Sequence, residues 1–87
     1  MHFNMLFKIH PHARTKMQER GASEDEVIET IKTGEKFPAK FGRIGFRRNF
    51  NFEGMWRGKK YNTKQVEVYA VKENDDFVVI TVIVKYF

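Results

Sequence analysis

The chain has 87 residues, 41% of them hydrophobic and 31% charged, with nine Phe and no Cys, so it reads as one domain over 1–87 whose core is too small for a large interior cavity. The lack of cysteine excludes disulfides, thiolate metal sites and a cysteine nucleophile. A formal net charge of +5 favours polyanionic partners without choosing among them.

The charge is unevenly spread. From Lys36 to Lys64 nine Lys or Arg stand against the single acid Glu53, a local net of +8, so the rest of the chain sums to −3. One basic and one acidic face are therefore expected. No run approaches membrane-spanning length. The stretch Met1 to His10 has neither the apolar run nor the small-residue cleavage signal of a secretion peptide, which leaves a cytoplasmic location as the expectation.

In chain order, Phe3 to Ile9 is β-prone and reads as a short strand. Pro11 then opens a helix to Arg20, and Gly21 supplies the left-handed position that ends it. Ser23 and Glu26 form a capping box, with Ala22 placed to pack on Val27, and start a second helix whose Val27, Ile28 and Ile31 share a face and whose C-terminal cap is Gly34. The period then changes to two. Arg43 to Phe52 keeps Ile44, Phe46, Phe50 and Phe52 in phase, Gln65 to Val71 alternates, and Phe77 to Tyr86 is a nearly continuous β-branched run. These read as antiparallel strands with the last one central, a turn at Asn74 to Asp76, and a longer flexible loop over Gly54 to Asn62. The expected fold is α+β, with two N-terminal helices on one face of a three- to four-stranded antiparallel sheet.

Candidate chemistry concentrates in the first helix. Ala13, Met17 and Arg20 line up at i, i+4 and i+7, so Arg20 shares the face that meets the sheet, where a guanidinium needs a partner or an anion. It can cover apolar surface and meet carbonyls or an acid, or it can offer a bidentate fork to a phosphate. His12 lies in the first turn with Lys16 four residues on, and both the positive charge and the helix N-terminus disfavour imidazolium, which suits a general base. A His that merely closes the helix start is the competing reading. His2 and His10 have no acid or second His at metal-ligand spacing, so no metal site is expected. In the loop, Trp56 among Arg57, Lys59 and Lys60 is the pattern of a stacking platform for single strands, unless that Trp folds back into a small core. Arg47 and Arg48 face opposite ways, and one of them must approach the helix-covered side. Tyr69 and Tyr86 carry phenols but rank below His12 and Arg20.

His12-Ala13-Arg14, Met17, Glu19-Arg20-Gly21, the capped second helix with Val27 and Ile31, Gly34 and the strand around Thr81 resemble a bacterial and archaeal family of small domains of unknown function. That family is grouped with the RelE- and ParE-like toxins, in the fold class shared by barnase. The resemblance implies two N-terminal helices on an antiparallel sheet, a metal-independent RNase activity and an antitoxin partner. It carries over His12 and Arg20 as site residues, with Thr81 weaker. Arg47, Lys60 and Tyr86 are the residues available for the RelE pattern of cations followed by a terminal Tyr.

The leading expectation is a toxin-like endoribonuclease without cofactor or metal, in which the RNA 2′-hydroxyl attacks the adjacent phosphate. His12 would be base or acid and Arg20 the phosphorane clamp, with Lys16, Arg48, Arg57, Lys60 and Trp56 contacting RNA. A cognate acidic antitoxin is the expected protein partner. The alternatives are a non-catalytic nucleic-acid or protein-binding module and a ParE-type toxin acting on a protein.

Overall fold

The computed structural model describes residues 7–87. Its elements are β1 (Phe7–Ile9), α1 (Pro11–Arg20), α2 (Glu24–Thr33), β2 (Glu35–Pro38), a 3-10 turn (Lys40–Gly42), β3 (Ile44–Trp56), β4 (Lys59–Glu73) and β5 (Asp76–Tyr86). The fold is α+β, but the sheet has five strands in the order β1-β5-β4-β3-β2 and is mixed, because β1 runs parallel to β5. The expected purely antiparallel sheet of three or four strands is corrected on both counts. The central strand is β4, not the last strand, although β5 is interior because β1 covers its far side. Positions 3 to 6 of the expected first strand lie outside the described residues.

Local signals set the helices. The His10 side chain caps α1 by accepting the His12 N–H at 3.1 Å, Pro11 opens the first turn, and Gly21 at φ 80° closes it. For α2 both halves of the Ser23–Glu26 capping box form, at 3.1 and 2.9 Å. Ala13 and Met17 seat α1 on β5, while Val27, Thr30 and Ile31 seat α2 across β3 and β4. Beneath them lie Phe46, Val66, Val68, Ala70, Val79 and Val82. Gly34 ends α2 in an extended conformation, φ −79°. A Cβ there would sit 2.5 Å from the Thr30 carbonyl oxygen and 2.6 Å from that of Arg47. Close approach to β3, not left-handed backbone, requires the glycine.

The expected loop over Gly54 to Asn62 is instead the end of a long hairpin. Met55 pairs with Lys60 and Trp56 with Lys59, leaving a two-residue turn at Arg57 and Gly58 with φ 51° and 81°. Positive φ at both positions matches the twist of the flanking strands. An irregularity between Asn51 and Gly54 interrupts the alternation, which is why the extension is hidden in the sequence.

Candidate nucleic-acid interface

The C-terminal end of α1 gathers three of the expected site residues. Arg20 Nη1 donates to the Val82 carbonyl at 2.6 Å, Arg57 Nη2 donates to the Glu19 carbonyl at 3.1 Å, and Trp56 stacks on Tyr86 with ring centroids 5.0 Å apart. The Arg57 guanidinium carbon lies 5.3 Å from the Trp56 ring centroid. Tyr86 donates its hydroxyl to the Arg20 carbonyl at 2.8 Å. Burial foremost, and then the Glu26 charge, hold the Tyr86 phenol above its ordinary pKa against the opposing pull of Arg57. Beside these groups lies a cleft of only 180 Å³, small against the usual size of ligand sites. Each named donor is engaged by a backbone carbonyl, so the cluster latches helix, hairpin and β5 together. Trp56 belongs to that latch and not to a mobile loop.

The other expected residues are dispersed. His12 is exposed at the opposite end of α1, eight residues from Arg20 and so roughly 12 Å away along the axis. The two side chains therefore start from opposite ends of the helix. Lys16 pairs with Glu19 at 3.3 Å. Arg48 lies on the helix-covered side, pairing with Glu29 at 3.2 Å and lying over Phe50. Lys60 is exposed on the hairpin.

The helix-free face of the sheet carries a cluster that sequence reasoning did not assemble. Glu67, on the central strand, is only 4% exposed. Its carboxylate lies 3.2 Å from Lys85 Nζ and 3.7 Å from Arg47 Nε, and accepts the Tyr69 hydroxyl at 2.9 Å. Strand alternation explains the grouping, since Glu67 stands opposite Arg47 on β3 and Tyr69 opposite Thr81 on β5. Burial foremost, with the hydrogen bond and charge of Glu67, pushes the Tyr69 phenol up from its ordinary pKa; Arg47 pulls the other way. Arg47 also reaches Glu35 at 3.4 Å and covers the Phe37 ring at 4.6 Å, while its own Nε is buried without a hydrogen bond. The available sequence signal was the lone acid of Val66-Glu67-Val68 in phase with Arg47, but Lys85 and Tyr69 join it only once the register is known.

Next to the cluster, Phe37, Phe41, Arg43, Tyr69 and Thr81 line an open groove of 450 Å³. Gly45 makes it possible, because a Cβ at that position would collide with the Phe37 ring. Among the described residues no group of three or more His, Cys, Asp or Glu is placed to hold a metal ion, and no helix is long and apolar enough to cross a membrane.

No curated protein and no solved structure matches the chain. A family model described as Domain of unknown function (DUF4258) matches residues 9–84, which takes in both helices and nearly all of the sheet just described. The chain belongs to that family.

Proposed function

We propose that the protein binds single-stranded RNA on the helix-free face of its sheet. One observation carries this reading. The acid at the centre of that face, Glu67, is buried beneath Arg47, Lys85 and Tyr69, so the centre of the cluster presents guanidinium, ammonium and aromatic groups to solvent, with the exposed Glu35 carboxylate at its edge beside Arg47. Such a surface suits phosphates and unstacked bases. The test is fluorescence anisotropy of a labelled RNA decamer over a range of salt. Arg47→Ala and Lys85→Ala are each expected to weaken binding and to reduce the salt slope by about one. Arg57→Ala and Lys60→Ala, on the hairpin, serve as comparison. Affinity that ignores salt, or that survives loss of both Arg47 and Lys85, refutes the reading.

A second reading, a metal-independent endoribonuclease, is favoured by the hydrogen bond between Tyr69 and Glu67. There the Glu67 carboxylate, uncovered as Arg47 and Lys85 swing off it, takes the proton of the RNA 2′-hydroxyl, whose oxygen attacks the adjacent phosphorus. Arg47 and Lys85 turn to the phosphorane, and Tyr69, kept protonated by burial and by Glu67, donates to the departing 5′-oxygen. In chelator, Glu67→Gln would lower cleavage on the order of 10²- to 10⁴-fold, whereas His12→Ala would leave it intact. The RelE- and ParE-like resemblance adds toxin action in the cytoplasm and an acidic antitoxin covering the same basic face. A stable complex with a small acidic protein encoded beside this chain would support that addition.

A further inference from the structure

We infer that the groove between Phe41 and Tyr69 is a nucleobase seat, in which one unstacked base of a single strand lies against Phe41 while Lys40 and Arg43 hold its flanking phosphates. The inference rests on the reading of the helix-free face as RNA-binding and adds a subsite to it. Phe41 combines exposure with positive φ. It is 86% exposed, and it holds φ 62° and ψ 36°, a left-handed conformation that a bulky side chain disfavours. The turn that imposes this is closed on both sides, by the Ala39 N–H on the Arg43 carbonyl at 3.0 Å and the Arg43 N–H on the Lys40 carbonyl at 3.2 Å. A strained, exposed aromatic ring held on a closed turn has no core to serve, and strain of this kind collects at binding sites.

The groove selects its occupant by shape and charge. Phe37 and Tyr69 meet edge to face at 6.1 Å and form an aromatic floor, with Thr81 lining the groove beside Tyr69. Among the described residues, Lys40 and Arg43 are its charged lining and no acid lines it. The Arg43 guanidinium carbon lies 5.9 Å from the Phe41 ring centroid, so a base on that ring would have a cation beside its phosphate. An apolar, flat, cation-rimmed seat fits a base with its phosphates better than an acidic peptide, whose side chains offer no flat face for the rings to stack on.

The experiment compares Phe41→Asn and Phe41→Trp with the parent, using a labelled uridine decamer and inorganic polyphosphate as separate probes. Asn is at ease in left-handed backbone, so Phe41→Asn should melt at or above the parent temperature while losing about tenfold in RNA affinity and almost nothing in polyphosphate affinity. Phe41→Trp should restore the RNA affinity. Unchanged RNA affinity in Phe41→Asn overturns the seat, even where Arg47→Ala has weakened binding and upheld the face. Equal losses for RNA and polyphosphate also overturn it, since a stacking ring has no part in binding a chain without bases. A parent protein that binds no RNA overturns both the seat and the reading beneath it. Backbone amide shifts at Phe37, Tyr69 and Thr81 raised by a glutamate-rich peptide, and not by RNA, overturn the seat in favour of a protein ligand.

Discussion

Tyr86 reaches across from β5 to give its hydroxyl proton to the Arg20 carbonyl at 2.8 Å, while its ring lies flat on Trp56. A single residue thus satisfies an orphan carbonyl at the end of α1 and fastens the hairpin to it. Tyr86→Phe keeps the stacking and loses only the hydrogen bond. The expected cost is about 1 kcal/mol, read as a fall in Tm of roughly 4 to 8 °C for a domain of this size. An unchanged melting curve would show that the bond contributes nothing net.

Gly21 is constrained twice. It sits at φ 80°, and a Cβ would come within 2.7 Å of both the Trp56 ring and the Tyr86 hydroxyl. Gly21→Ala should therefore cost more than the ~1 kcal/mol expected from left-handed backbone alone. Combining it with Trp56→Ala should recover part of the loss, so chemical denaturation of the two single variants and the double variant measures the steric share.

Lys64 is buried on the helix-covered face, where its ammonium group bonds the Gly21 carbonyl and pairs with Glu26 at 2.7 Å. Replacing it with Ala leaves Glu26 without its cation and α1 without one carbonyl partner. A loss of about 3 kcal/mol is expected, toward the low end for a broken buried pair because Glu26 keeps some contact with water. Urea titrations of Lys64→Ala and Lys64→Met separate the charge from the packing of the stem, and equal stability of all three proteins refutes this account.

Tyr69 and Tyr86 both hold their protons above the ordinary phenol value of 10.0. A group whose folded pKa is raised binds its proton more tightly in the native state. The resulting stability is complete below pH 10.0 and fades as pH rises through the folded values. Glu67→Gln should bring the Tyr69 titration back toward 10.0, only in part because burial remains the larger cause. Ultraviolet absorbance of the ionised phenol follows each step, and a Tyr69 titration unmoved by Glu67→Gln contradicts the assignment.

His12 is exposed and remote from both the latch and the helix-free face. His12→Ala should change stability by less than about 0.5 kcal/mol and leave RNA affinity at the parent level. A substantial loss in either measurement would return His12 to the functional site.

What the sequence discloses divides by range. Pro11, Gly21 and the Ser23–Glu26 pair act within a turn or two, and they define α1 and the start of α2. β2 has the residues Glu-Lys-Phe-Pro, with no alternation to announce a strand, and exists because it pairs with Pro38 opposite Ile44 and Glu35 opposite Arg47. Gly54 and Gly58 among lysines imitate a loop until the register carries the strands past the irregularity at Asn51. The helix periodicity correctly turns Arg20 toward the sheet, but cannot say that its guanidinium meets the Val82 carbonyl there. Glu67 shows the same limit, since a charge in a β-branched run gains meaning only from residues that the fold places beside it on the two neighbouring strands.

The three residues of β1 have a consequence for the solubility of the chain. Their pairing with Phe77, Val78 and Val79, and the stacked rings of Phe7 and Phe77, close the outer side of β5 at its N-terminal end. β5 is the most β-branched segment of the protein, and an uncovered stretch of such a strand is a template for adding further chains edge to edge. The short strand thus acts as a guard against intermolecular sheet growth, and weakening its pairing would promote aggregation before it unfolded the core.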